Sequence, residues 1–137
     1  AWQPANQGLP DLTVRGLAVS PAFATDLTVL VATDGGLFLS TDAGATWTQT
    51  SELTRATAVA FSPAFASDGS AFAAGPGPRP PVVSTTDRGR VWTQLGETLL
   101  ADAILQLVPS PAYAAGGELF AATTDAGVQV YTVPGKA

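Results

Sequence analysis

One phrase occurs three times in this chain of 137 residues and limits what the chain can fold into. Serine, proline, alanine and an aromatic residue follow one another at 20–23, 62–65 and 110–113, so the copies start 42 and 48 residues apart. This period is typical of four-stranded propeller blades with loops of variable length. Each copy follows a short apolar run that proline ends, because proline cannot donate a backbone hydrogen bond to a neighbouring strand. The repeat predicts an all-β chain of similar units.

Each unit contains segments for four antiparallel strands. The first is the apolar run before the serine, and the second follows a turn, at 28–32, 70–74 and 118–122. The third lies in GLFLST, PVVSTT and GVQVYT, and the fourth in TWTQT and VWTQL, which are rich in β-branched and aromatic residues. A repeated four-stranded meander predicts a β-propeller with about three blades. We expect one module over 1–137, with blades at about 12–50, 55–95 and 103–132 and with 1–10 as the fourth strand of a split blade.

The composition limits which partners and which kinds of catalytic or metal site we expect. Only 12% of the residues are charged, while 14 glycines and 11 prolines suit tight turns, so helices are not expected. The net charge of −5 and six scattered basic residues argue against nucleic acid and anionic membranes as partners. No apolar run is long enough for a membrane-spanning helix, so no membrane insertion is expected. Cysteine and histidine are absent, which excludes a thiol nucleophile, the usual zinc sites and an imidazole base; we expect no metal and no cofactor.

A second motif, STDAGATWTQT at 40–50, returns as TTDRGRVWTQL at 85–95. In a turn between the third and fourth strands, aspartate accepts backbone hydrogen bonds, glycine takes a positive φ and serine or threonine adds a local bond. The tryptophan then starts the fourth strand and is expected to bury its ring beside the turn, as is Trp2 at the chain's start. We therefore expect a structural role for these motif residues: Ser40, Asp42, Gly44, Thr46, Trp47, Thr85, Asp87, Gly89 and Trp92.

This motif resembles the Asp box of the bacterial neuraminidase repeat proteins, a β-propeller superfamily that includes sialidases, sortilin-type receptors and photosystem II assembly factors. The pattern Ser-x-Asp-x-Gly-x-Thr-Trp is complete at 40–47 and is met with two changes, Thr85 and Val91, at 85–92. The resemblance implies a propeller whose boxes are structural corners away from the active face. It is specific for the fold and weak for function, because one fold hosts enzymes, receptors and assembly factors.

The spacing of the repeat predicts in which strand of a unit the chain begins and ends. Trp2 stands 18 residues before Ser20, as Trp92 stands 18 before Ser110, so the chain begins in a fourth strand. Trp47 stands 27 residues after Ser20, and the same count from Ser110 places the third motif tryptophan at Ala137. Three blades fall short of the usual minimum of about four. Either two copies join into a six-bladed ring by exchanging the fourth strand, or the chain is the C-terminal part of a longer propeller, which we favour because no Met begins it.

A sialidase-like activity would need an arginine cluster, a tyrosine nucleophile with a nearby glutamate, and an acidic proton donor. The candidates are Arg15, Arg55, Arg79, Arg88, Arg90, Tyr113, Tyr131, Glu52, Glu97 and Glu118. Two of the arginines lie inside the second box, and the Arg-Ile-Pro signature of that enzyme family is absent. The carboxylates of TDGG and SDGS are isolated, whereas calcium loops need several converging oxygens. We expect the protein not to be an enzyme.

The irregular stretch GPGPRPP, 75–81, is the candidate partner-binding loop, because loops carry binding on rigid scaffolds. Its candidate contact residues are Pro76, Pro78, Arg79 and Pro80; the alternative is a plain solvent loop. We expect a non-catalytic platform for protein binding, self-association or assembly, extracellular or periplasmic according to the family resemblance and a processed N-terminus. The alternatives are a lectin-like carbohydrate-binding propeller and a fragment of a sialidase-like glycoside hydrolase.

Overall fold

A computed structural model describes residues 1–134, which form three antiparallel sheets and three single-turn helices. The first sheet contains β1 (Val14–Val19), β2 (Val29–Thr33), β3 (Gly36–Ser40) and β4 (Thr48–Ser51). The second contains β5 (Ala58–Phe61), β6 (Ala71–Ala74), β7 (Val82–Thr85) and β8 (Thr93–Gln94). The third contains β9 (Ile104–Pro109), β10 (Glu118–Thr123) and β11 (Val128–Thr132). The helices are α1 (Phe23–Asp26), α2 (Phe65–Asp68) and α3 (Tyr113–Gly116).

Every sheet is a meander in which consecutive strands pair, so the all-β prediction of repeating antiparallel units is confirmed. The registers repeat as well: Leu30 pairs with Leu39 in the first sheet, as Phe120 pairs with Val130 in the third. The fourth strands begin one residue after Trp47 and Trp92, so each tryptophan lies at the end of a corner.

The three helical turns differ from the expectation of no helices. Each begins at the aromatic residue that ends the repeated phrase and continues into the residues that the sequence predicted to form a turn before the second strand. In the first, the Ser20 hydroxyl accepts a hydrogen bond from the Ala22 N–H at 3.0 Å and donates one to Asp26 at 2.8 Å. Leu27, at a φ of 52°, ends the turn in the left-handed region. The serine and aspartate therefore close a single helical turn of four residues between the first and second strands.

The core lies between the sheets. One cluster joins the first and second sheets and includes Leu30, Leu37, Phe61, Phe65 and Ala73. Another joins the second and third sheets and includes Phe72, Val82, Ile104, Leu107, Tyr113 and Leu119. β1 contacts β5, and β5 contacts β9, so the first strands of the three sheets lie along one side of the stack. This is face-to-face packing of successive blades.

The N-terminal segment packs on the first sheet without forming a strand between residues 1 and 13. The backbone N–H of Trp47 donates to the Gln7 carbonyl at 2.9 Å, and Leu9 packs on the cluster of Val29, Val31, Phe38 and Trp47. Trp2 is fully exposed, contrary to the expectation that it packs in the core, because no further sheet of residues 1–134 lies beside it. The split blade stays a prediction, and Ala137 lies outside the described residues. No helix in residues 1–134 is long and apolar enough to cross a bilayer.

Candidate functional site

The connections between strands divide between two ends of the stacked sheets, because the strands of each meander alternate in direction. The corner end carries the helical turns and the two motif corners, 40–47 and 85–92. The loop end carries the turns after the second strands and the connections between sheets. Its segments are 34–35, 52–57, 75–81, 95–103 and 124–127.

The first corner, 40–47, is closed by its own side chains. Ser40 Oγ donates to Asp42 Oδ1 at 2.7 Å and accepts from the Gly44 N–H at 2.8 Å. Asp42 Oδ1 also accepts from the Thr46 N–H at 2.9 Å, and the Thr46 hydroxyl donates to Asp42 Oδ2. These bonds, with Thr46 first among them, lower the pKa of Asp42 to about 2. The polar atoms of this corner are engaged in holding the turn.

The second corner, 85–92, repeats this arrangement with a threonine in place of the serine. Thr85 Oγ1 donates to Asp87 Oδ1 at 2.7 Å, and the Val91 N–H donates to the same oxygen at 3.0 Å. The backbone bond from Val91 and the hydroxyl of Thr85 lower the pKa of Asp87. Trp92 donates through Nε1 to Thr50 Oγ1 of the first sheet at 3.1 Å. This corner therefore also fixes one sheet against the next.

The candidate loop, 75–81, is exposed at its tip and fixed at its base. The Gly75 N–H donates to the Pro81 carbonyl at 2.7 Å, and the Arg79 N–H donates to the Ala101 carbonyl at 2.8 Å. Pro76, Pro78 and Arg79 are exposed, whereas Pro80 is buried. Pro80 is therefore an anchor of the loop, and only the first three of the four candidate contact residues face solvent.

A charged cluster lies beside the first sheet at the same end of the stack. The Arg15 guanidinium donates from Nε and Nη2 to the two carboxylate oxygens of Asp34. This hydrogen bonding by Arg15 lowers the pKa of Asp34, and the charge of Arg55 acts in the same direction. Asp34 in turn raises the pKa of Arg15. Sequence reasoning did not foresee the pair, although Val14 opposite Thr33 in the β1–β2 register places the two residues side by side.

The residues that a sialidase-like site would need do not all come together: Glu97 and Tyr131 line one cavity, but no arginine lines it. Arg88 lies at the corner end, where Nη2 donates to the Ala66 carbonyl at 2.8 Å and the guanidinium stacks on Phe65 at 4.7 Å. Tyr113 is buried in the core, and this burial raises its pKa to about 12, which disfavours the phenolate. Arg15 and Arg79 lie at the loop end. Within residues 1–134 no group of acidic side chains is arranged to hold a metal ion.

An open cavity of about 540 Å³ separates the outer parts of the second and third sheets. Its wall is mostly apolar, with Glu97, Thr98, Gln129 and Tyr131 as the polar exceptions. The apolar lining comes from both sheets and from the connection between them: Val82, Leu95, Leu99, Leu100, Leu107, Leu119, Ala121 and Val130. Nothing in the sequence motifs pointed to this cavity.

Solved structures share this fold. An ancestral GH74 enzyme matches 95% of the chain with a TM-score of 0.71 and 18% identity, and the chain spans 18% of that enzyme. The GH74 xyloglucanase from Xanthomonas campestris matches 100% of the chain with a TM-score of 0.69 and 21% identity, and the chain spans 22% of that enzyme. YCF48 bound to D1 peptide matches 96% of the chain with a TM-score of 0.66 and 16% identity, and the chain spans 41% of it.

These proteins are β-propellers, so the predicted fold class is confirmed: the chain folds as part of a propeller. It spans about a fifth of the GH74 enzymes and two fifths of YCF48. No protein-family model matches the sequence, and neither does any curated protein at a significant level.

The expectation that the protein is not an enzyme is wrong. It rested on the missing sialidase signature, but GH74 enzymes match 95% and 100% of the chain. The fold is therefore shared with glycoside hydrolases other than sialidases. A missing arginine cluster is an argument against a sialidase and does not exclude these other glycoside hydrolases.

Proposed function

We propose that the chain is part of an Asp-box propeller that binds a protein or peptide at its loop end, outside the cytoplasm. The Asp-box assignment is supported by the two corners, where a serine or threonine, an aspartate and a glycine make the same bonds. The extracytoplasmic location follows from the resemblance to secreted Asp-box proteins.

The observation that carries the proposal is the preorganised loop at 75–81. Bonds at its base hold the chain, and prolines restrict its tip, so little conformational entropy is lost when a partner binds. The Arg79 guanidinium is exposed and has no ion-pair partner among the described residues. An exposed guanidinium recognises a carboxylate through two parallel hydrogen bonds. YCF48, which has the same fold, was solved with a bound peptide.

A display library of random short peptides, selected against the full chain, tests this proposal. We expect the enriched peptides to contain Asp or Glu, and Arg79→Gln to weaken their binding by roughly tenfold or more, because both charge-assisted hydrogen bonds of the guanidinium are lost. Arg90→Gln is the matched control, because Arg90 is an exposed arginine at the corner end. Equal losses in both variants, or no enriched peptide, would overturn the proposal.

Carbohydrate binding or cleavage is the second candidate function. It is favoured by the GH74 enzymes among the structural matches, and by two carboxylates at the loop end. The Asp102 N–H donates to Asp125 Oδ1 at 2.8 Å, which brings the two residues together. Most glycoside hydrolases act through two carboxylates. Xyloglucan oligosaccharides are the first probe: saturable binding or hydrolysis that Asp125→Asn removes would support this candidate, and a blank glycan array would remove it.

A further inference from the structure

Two apolar sheet faces have no neighbouring sheet within residues 1–134. They lie at opposite ends of the stack, one on the first sheet and one on the third. The first sheet exposes Leu17 and Val19 of β1. The third exposes a larger patch: Val108, Phe120, Val128 and Val130. Exposed apolar patches of this kind mark interaction sites.

Equivalent positions in the three sheets show what covers each of these faces where it is buried. Leu17 opposes Val31 as Leu107 opposes Ala121, yet Leu107 is 4% exposed and Leu17 is 63% exposed. The difference arises because the second sheet covers Leu107. Phe120 likewise corresponds to Leu30, which is 0% exposed beneath the second sheet, whereas Phe120 is 40% exposed. The open face of the third sheet is thus the kind that normally packs on the open face of the first.

The N-terminal segment already lies where the fourth strand of a preceding sheet would lie. Trp47 donates through Nε1 to the Ala5 carbonyl at 2.7 Å, as Trp92 donates to Thr50 of β4. Leu9 packs on the first sheet's cluster, as Leu53 packs on the next cluster. The third sheet, for its part, has three strands, with β11 at its outer edge. Within residues 1–134, the N-terminal segment thus occupies a fourth-strand position beside the first sheet without a sheet of its own, and the third sheet lacks a fourth strand.

The cavity between the second and third sheets fits the same scheme. Its lining residues Val82, Leu99 and Leu107 occupy the positions that Leu37, Leu53 and Val59 occupy one unit earlier. In that earlier unit, these side chains belong to the cluster on which Trp92 packs. The cavity is therefore the place for the tryptophan that begins a fourth strand. Trp2 begins the N-terminal segment and is fully exposed.

We propose that a second copy of this chain fills these places. Trp2 of one copy enters the cavity of the other, residues 3–5 pair beside β11, and the third sheet packs on the first sheet of the other copy. The contact runs head to tail, and its twofold repetition closes a ring. Two copies supply six blades, within the four to eight that propellers use, whereas one copy supplies three. This inference holds whichever ligand binds at the loop end.

Native mass spectrometry and light scattering of the full chain test the proposal directly. We expect twice the chain mass of 13.8 kDa, and we expect Trp2→Ala to return the protein to monomer with an unchanged circular dichroism spectrum. Val91→Ala, another exposed apolar residue, is the control and should leave the dimer intact. A monomeric wild-type chain at micromolar concentration, or a Trp2→Ala dimer as stable as the wild type, would overturn the proposal.

A disulfide tests the register. Thr48 pairs with Leu39 in the first sheet and Thr93 with Ser84 in the second; Gln3 and Val130 hold the corresponding positions. Paired strand residues are close enough for a disulfide, and the chain has no natural cysteine. Gln3→Cys with Val130→Cys should therefore oxidise to a covalent dimer, whereas Gln3→Cys with Arg90→Cys should not. Equal crosslinking in both pairs would contradict the register.

The other possible occupant of both faces is further blades of the same polypeptide. Intact mass measurement on protein from its natural source distinguishes the two. A natural polypeptide that is monomeric and carries more blades would overturn the second copy as the occupant. A natural chain of about 13.8 kDa, found as a dimer, would support it.

Discussion

The indole Nε1 of Trp92 donates a hydrogen bond to Oγ1 of Thr50, 3.1 Å away and across the boundary between two sheets. Trp47 makes the equivalent bond to the carbonyl of Ala5 at 2.7 Å. In both cases the acceptor stands three residues after the tryptophan of the preceding unit, Trp47 or Trp2. Each corner tryptophan thus ties its own sheet to the fourth-strand segment before it, in addition to packing beside its turn.

Trp47→Ala should lower the free energy of unfolding by about 3 kcal/mol or more, because it empties a buried position and removes the bond to Ala5. Urea denaturation followed by circular dichroism measures the change. Val91→Ala is the control, since its side chain is exposed in the other corner and should cost less than about 0.5 kcal/mol. A comparable small change for Trp47→Ala would mean that the ring does not support the core.

The fold was predictable because its signals repeat. Three features recur in the sequence: a period of 42 to 48 residues, prolines at the ends of apolar runs, and tryptophans at the ends of the corners. Because each feature predicts the same unit boundaries, they support one another. The predicted second and third strands begin within about one residue of the observed ones, as at Val29 and Gly36. Periodicity also placed the third sheet, although its strand β11 has Tyr131 where the other units have Ser40 and Thr85.

The site was less predictable because it depends on contacts that do not repeat. Among the described residues, Arg15 pairs with Asp34 in the first unit alone, since the first strands of the other two units, β5 and β9, contain no arginine. The burial of Pro80 depends on the connection at 99–101, which packs under the loop. The exposure of Trp2 could not be predicted from its motif, because the corresponding tryptophans are buried, as Trp47 is, or partly buried, as Trp92 is. Its position is decided by which sheet stands beside it.

The carboxyl of Asp42 should titrate near pH 2, because it accepts hydrogen bonds from Thr46 and Ser40 in its ionised form. Its pKa in the folded state lies below the ordinary 3.8, so its contribution to stability is fully present above about pH 4 and is lost as the pH falls toward 2. Carbon-detected NMR titration of the carboxyl measures this pKa.

Thr46→Val supplies the matched test of that cause. Removing the Thr46 hydroxyl, which is the largest contributor, should raise the pKa of Asp42 toward its ordinary value while the backbone bond from residue 46 remains. Thr48→Val, at the first residue of β4 and without a bond to Asp42, should leave the pKa unchanged. If both variants shift it equally, the hydroxyl of Thr46 is not the cause.

Arg15→Gln should raise the pKa of Asp34 toward the ordinary value, because it removes the guanidinium that stabilises the carboxylate. The pair's contribution to stability is present above the ordinary carboxyl pKa and is lost on acidification, and high salt should weaken it because both side chains are partly exposed. NMR titration of Asp34 with and without salt provides the measurement. Arg90→Gln, in the second corner, should leave Asp34 unaffected.

Gly8→Ala should destabilise the chain more than Gly77→Ala, although both glycines have a positive φ, +97° and +78°. Each substitution incurs the backbone cost of the left-handed region, of order 1–2 kcal/mol. At Gly8 a new Cβ would also lie 2.4 Å from the backbone oxygen of Trp47, whereas nothing stands within 4 Å at Gly77. The extra clash should move residues 5–9 off the first sheet and break the bond from the Trp47 indole to Ala5, which the indole N–H resonance reports by NMR. Equal destabilisation, with an unchanged Trp47 resonance in both variants, would show that the N-terminal segment does not pack in this fourth-strand position.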